Sequence, residues 1–291
     1  VWRSGRAVTG PAIDGHGVSR QLQGQSALLA GAQRPAGLIY LLRVPVPAAK
    51  LQAPLADGAS LACELFLPDG PGPHPGVVVL HELFGLNDDI RRVAARFVDA
   101  GYAALVPDLF SHGSRVVCLA RTMSDVARGS VDREIADVMA ARDAFAARSE
   151  VDAERIAVAG FCMGGGFALI ATTKPGFKAA SVNYGDVPKR REKLDGACPV
   201  VASFGSRDRM FGANMAGRLE RHLTALGVPH DVRVYEGAGH SFFSTHEGWQ
   251  AWLARFPTPM RVAPDEPAAR DGWRRMLAFF EEHVRGPAAA G

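Results

Sequence analysis

From residue 59 onward, short and nearly unbroken apolar runs alternate with stretches in which apolar positions recur every three or four residues. The runs at 60–67, 76–80, 101–107, 155–159, 179–183, 199–204 and 231–235 predict strands; those as continuous as Gly76-Val77-Val78-Val79-Leu80 predict strands covered on both faces. The periodic stretches at 88–100, 131–148, 164–173, 215–226 and 273–284 predict amphipathic helices. Pro68-Asp69-Gly70-Pro71-Gly72 predicts a turn. Repeated strand–helix units of this kind build a mainly parallel sheet with helices on both faces, an α/β fold. In such sheets the ligand sits beyond the carboxyl ends of the strands, so the residues that follow each strand carry the functional reading.

Two segments depart from the alternation. Residues 1–50, rich in Gly, Ala, Gln, Arg and Pro without sustained periodicity, read as a poorly ordered extension, leaving 51–291 as one folded domain. The proline-rich stretch 247–271 reads as an insertion before the last helix. A chain of 291 residues, 47% of them hydrophobic, is long enough to bury one large core. Lys and Arg exceed Asp and Glu by only 33 to 30 and are dispersed, which argues against a nucleic-acid partner. The apolar run 37–42 is too short to span a membrane and poor as a signal core. Cys63, Cys118, Cys162 and Cys198 are far apart, with no Cys-x-x-Cys pair. That pattern suggests neither a disulfide framework nor a metal knuckle, and it fits a reduced, cytoplasmic setting.

Directly after the strand at 155–159 comes Gly160-Phe161-Cys162-Met163-Gly164-Gly165, followed by an apolar helix. This is the form of a nucleophile elbow, in which small flanking residues let backbones pass closely while the central side chain is held above the sheet. The helix start beneath Cys162 favours a thiolate there through its partial positive charge. The plainer reading of Cys162 is a buried thiol beside a glycine-rich turn. Chain order tells against it. Asp208 follows the strand at 199–204 and His240 follows the strand at 231–235, so nucleophile, acid and histidine come in the order of the α/β-hydrolase fold. Taken alone, Asp208 reads as a turn residue and His240 as a loop histidine; together they predict a triad in which the imidazole accepts the thiol proton and the carboxylate fixes its tautomer.

His81-Glu82-Leu83-Phe84-Gly85 follows the strand at 76–80. It is not a zinc motif, since Gly85 stands where a second histidine would be needed. Its place is that of the loop supplying one oxyanion-hole amide, so the predicted donors are the N–H groups of Leu83 and Met163. Glu82 reads either as an exposed loop residue or as a group acting on the ionisation of Cys162.

These residues resemble the dienelactone hydrolase family over roughly residues 55–285: Glu82 in its loop, Cys162 in the Gly-x-Cys-x-Gly-Gly elbow, Asp208, His240 in Gly239-His240-Ser241-Phe242, and the segment Pro107-Asp108-Leu109-Phe110. The resemblance implies an α/β-hydrolase domain without a cofactor or metal, acting on a small-molecule ester or lactone through a thioester. It implies that Glu82 activates Cys162. It also implies two substrate-binding arginines, but their positions fall at His112 and Ser244, with Arg115 near the first. Hydrolase chemistry is therefore expected to carry over further than dienelactone specificity, with Tyr184 a further candidate for the pocket wall. The rival readings are a non-catalytic or redox-sensing protein on the same fold, and a peptidase or acyltransferase of the same superfamily.

Overall fold

The computed structural model describes residues 45–245 and 258–286. The extension expected over 1–50 lies outside the described residues up to residue 44, as does the part of the 247–271 segment that precedes residue 258. The described strands, in chain order, are β1 (Ala49–Pro54), β2 (Ser60–Phe66), β3 (His74–Leu80), β4 (Ala103–Pro107), β5 (Val151–Phe161), β6 (Ala180–Asn183), β7 (Val200–Gly205) and β8 (His230–Tyr235). They form one sheet in the order β1-β2-β4-β3-β5-β6-β7-β8. β1 and β2 are antiparallel to their neighbours, and all pairings from β4 to β8 are parallel. The helices are α1 (Asp88–Asp99), α2 (Arg115–Arg128), α3 (Asp132–Ala146), α4 (Met163–Ala171), α5 (Ala213–Leu226) and α6 (Glu266–Phe280).

The central strands are apolar throughout because successive residues feed two different cores. Val77 and Val79 face the core built with α1 and α6, around Phe97, Trp273 and Phe280. Val78 and Leu80 face the core built with α3 and α4, around Ile135, Phe145 and Phe167. The same alternation separates Ala157, Ala159 and Phe161 from Ile156 and Val158 in β5. α5 packs Ala216, Leu219 and Leu223 against Val200, Ala202 and Phe204. A parallel sheet covered on both faces keeps unbroken apolar strands out of water on either side.

The strand and helix expectations hold from β2 to α6, with ends shifted by a few residues. β1 and α2 were not anticipated. α6 starts at Glu266 rather than 273: Asp265 caps it by accepting from the Ala268 N–H at 3.0 Å, and Pro267 lies in its first turn. The last residues of the expected insertion are therefore helix.

Sheet register decides what meets at the carboxyl edge. Leu80 pairs with Gly160, Phe161 with Asn183, Asn183 with Ser203, and Gly205 with Tyr235. The residues just beyond these pairs are the His81 loop, Cys162, Tyr184, the Asp208 loop and the His240 loop. The chain reverses its winding at β3, since β4 lies on one side of it and β5 on the other. The His81 loop and Cys162 thus emerge side by side at the switch point, where such folds bind ligands.

Candidate functional site

Cys162 stands between β5 and α4 with φ 55° and ψ −118°, a conformation that costs a side chain of this kind about 1–3 kcal/mol. Its flanks explain how the turn closes. A Cβ on Gly160 would lie 2.0 Å from the Gly164 carbonyl oxygen, and a Cβ on Gly164 would lie 2.5 Å from that of Leu80. The Cys162 N–H donates to the Asn183 carbonyl at 3.0 Å, and its own carbonyl accepts from Gly165 N–H at 2.9 Å, tying the elbow to β6 and to the first turn of α4. Cys162 is half-buried, whereas burial pushes the thiols of Cys63 and Cys198 up to about 12 and leaves them poor nucleophiles.

Asp208 and His240 meet as expected. His240 Nδ1 donates to Asp208 Oδ2 at 2.6 Å, and both residues are buried. The other carboxylate oxygen, Oδ1, accepts from the N–H groups of Met210 and Phe211, each at 2.9 Å. The carboxylate is therefore anchored before it meets the ring. Burial would lower the imidazole pKa, but the charge of Cys162 and the hydrogen bond to Asp208 outweigh it and raise it to about 10. Nε2 is buried and meets no partner at full hydrogen-bond geometry, although Cys162 is near enough to act on the ring by charge and by hydrogen bonding. We read the two as neighbours whose hydrogen bond is loose at rest, a common state for groups that tighten only around a substrate.

Glu82 is buried at the mouth of β3, where Oε1 accepts from Ser244 Oγ at 3.0 Å and from Tyr184 Oη at 3.3 Å. Tyr184 is fully buried with φ 42°, its ring 4.9 Å from that of His240. Burial and then the Glu82 charge push its phenol well above the usual value. Of the three residues expected at the substrate pocket, Tyr184 and Ser244 therefore donate to Glu82. His112 is elsewhere engaged, its Nε2 2.9 Å from Asp137 Oδ2 on α3. Arg115 opens α2 and lays its guanidinium against Gly85, with Asp108 at 3.6 Å. The N–H groups of Leu83 and Met163 have no hydrogen-bond partner among the described residues. Among those residues no group of three or more His, Cys, Asp or Glu side chains is placed to hold a metal.

Residues 61–284 match the sequence profile of the dienelactone hydrolase family. The chain belongs to that family. Dienelactone hydrolases are α/β hydrolases, and this member is a hydrolase of lactones or carboxylic esters, with a small molecule as substrate. A carboxymethylenebutenolidase of Rhodococcus opacus is 28% identical over 223 residues, covering 72% of this chain and 81% of its own. The crystal structure of a dienelactone hydrolase-like promiscuous phosphotriesterase from metagenomic libraries is 27% identical, with a TM-score of 0.68, and the match covers 81% of this chain and 98% of that one. A puromycin-hydrolysing peptidase of Mycobacterium tuberculosis, 19% identical with a TM-score of 0.62 over 87% of this chain and 41% of its own, shares the fold. Among the described residues no helix is long and apolar enough to cross a membrane.

Motif reading named His81 without giving it a task. In the structure it is wholly buried and joins two loops. Nδ1 lies 2.7 Å from the Glu82 carbonyl oxygen, and Nε2 accepts from the Leu109 N–H at 3.1 Å. The signal was a histidine beside a strand end, and nothing local shows that its second partner is 28 residues away.

Proposed function

We propose that this dienelactone hydrolase family member cleaves its ester or lactone through a thioester on Cys162. The observation that carries the reading is the strained elbow of Cys162 next to a buried His240–Asp208 pair joined at 2.6 Å. At rest the proton of the Cys162 thiol is held by His240, whose pKa the charge of Cys162 and the Asp208 hydrogen bond raise to about 10, with Asp208 accepting from Nδ1–H and Glu82 assisting formation of the thiolate. The sulfur attacks the carbonyl carbon, and the resulting oxyanion is met by the N–H groups of Leu83 and Met163. Collapse forms the thioester and expels the alcohol oxygen, which takes the proton from His240. In a lactone that oxygen stays on the acyl chain as a hydroxyl group. His240, neutral once the thioester has removed the thiolate charge, then deprotonates a water that attacks the thioester; the tetrahedral adduct releases the acid and the Cys162 thiolate, which restores the resting pair with its proton on His240.

Dienelactone itself is not the favoured substrate. His112 is held by Asp137 and Ser244 donates to Glu82, so neither position offers a free cation to a substrate carboxylate. The Rhodococcus opacus relative supports lactone chemistry in general. The decisive test is Cys162→Ala. We expect turnover of small aryl esters and lactones to fall by at least ~10³-fold in a protein that still folds; full activity refutes the nucleophile. Mass spectrometry after brief exposure to an activated ester should find a labile acyl group on Cys162. Sulfenate or disulfide alone would favour a redox sensor.

A further inference from the structure

We infer that His81 is a positioning residue that builds one half of the oxyanion hole, by holding the Glu82–Leu83 peptide so that the Leu83 N–H faces the carbonyl attacked by Cys162. The inference rests on the nucleophile reading above and adds to it. A trans peptide carries its C=O and N–H on opposite sides, so fixing the Glu82 carbonyl fixes the direction of the Leu83 N–H. Two donors hold that carbonyl: the His81 ring at 2.7 Å and the Gly85 N–H at 3.0 Å. A flipped peptide would lose both and turn a carbonyl oxygen toward the developing negative charge.

The ring is suited to the task because its own state is set from the other side. Nε2 accepts from the Leu109 N–H at 3.1 Å, so the proton resides on Nδ1 and is donated to Glu82. A second proton would remove the acceptor that Leu109 uses. Burial lowers the ring's pKa, despite Asp108 with its nearest oxygen at 3.9 Å, and keeps it neutral. Phe110 packs on the ring at 5.0 Å between centroids, and Arg115 presses on Gly85 at the far end of the loop. The segment after β4 thus braces the loop after β3. The Leu83 N–H has no partner among the described residues, as an amide kept for a substrate oxyanion requires.

The test compares His81→Asn, His81→Gln and His81→Leu. Asparagine presents an N–H at the same remove from the backbone as Nδ1, glutamine an acceptor at the remove of Nε2, and leucine neither. Three quantities are read on folded protein: kcat and KM for a small aryl ester, and the rate at which iodoacetamide alkylates Cys162. Alkylation at a saturated carbon develops no oxyanion, so it reports the thiolate alone. We expect kcat to fall by roughly 10²-fold in Leu and Gln, the scale of one lost oxyanion donor, with KM within about threefold and alkylation unchanged. Asparagine should recover most of kcat. The inference is overturned if Gln is no worse than Asn, if folded Leu keeps kcat within about twofold, or if alkylation falls in step with kcat. If the Leu variant does not fold, the Asn–Gln comparison decides. Wild-type protein alkylated at Cys162 that still turns over ester refutes the nucleophile, and the role of His81 falls with it.

Discussion

At the scale of single residues, the site is a set of polar groups each secured by a partner that does no chemistry. Asp208 spends one oxygen on the Met210 and Phe211 amides, so its other oxygen reaches His240 without freedom to turn. Asp208→Asn should therefore cost on the order of 10³-fold in kcat/KM through loss of the correct tautomer and of charge support for the imidazolium. The charge of Cys162 and the same pair link stability to pH. His240 has a folded-state pKa raised to about 10 from an ordinary 6.5. Stability from the protonated ring is complete below pH 6.5 and is lost as pH rises through about 10. Thermal melts of the wild type should decline across that range, and those of Asp208→Asn should decline less. A wild-type curve no steeper than the variant's would contradict the assignment. Glu82, Tyr184 and Ser244 form a second set, and here residue identity alone was a poor guide. Ser244 stands where the resemblance implies a substrate-binding arginine and Tyr184 reads as pocket wall, yet their hydroxyls are committed to a carboxylate 162 and 102 residues away in the chain.

At the scale of elements, the elbow between β5 and α4 is possible only because backbones touch. Gly160→Ala would drive a methyl to within 2.0 Å of the Gly164 carbonyl oxygen. We expect at least ~1–3 kcal/mol of destabilisation, measured by urea unfolding, together with loss of esterase activity in whatever folds, because the turn must open and carry Cys162 with it. Elements with a buried stripe were legible from periodicity; α2 was not. Thr122 is its one buried residue, while Val116, Val117 and Met123 are exposed and Val126 is only partly covered, so its apolar positions do not single out the core-facing side. β1 escaped for the opposite reason. It is an edge strand whose burial alternates without a strong apolar face, and it is defined by pairing with β2 from Ala49↔Leu65 to Pro54↔Ser60.

At the scale of the molecule, three packed clusters cover the two faces of the sheet and leave its carboxyl edge free to carry chemistry. Phe97, fully buried, joins α1 to Trp273 and Phe280 of α6 and to Tyr102 beside β4, with ring centroids at 5.0, 6.1 and 6.4 Å. Phe97→Ala should cost about 3–5 kcal/mol in chemical denaturation while kcat/KM per folded molecule is kept, since the rings it meets, Tyr102, Trp273 and Phe280, are not those that touch His240. Equal losses in stability and in activity per folded molecule would show the core and the site to be coupled. By itself the sequence determined the α/β class, the elbow at Cys162 and the order of Asp208 and His240 behind it. Apolar periodicity and glycine spacing are local properties, and chain order needs no coordinates. Only the tertiary structure decided which groups surround those three residues. The register pairing Leu80 with Gly160 sets the His81 loop beside Cys162, the fold closes Ser244 and Tyr184 onto Glu82, and His81 bridges to Leu109. Hydrogen bonds between residues far apart in the chain depend on where the backbone returns, and that is settled by packing the cores on both faces of the sheet rather than by any pattern along the chain.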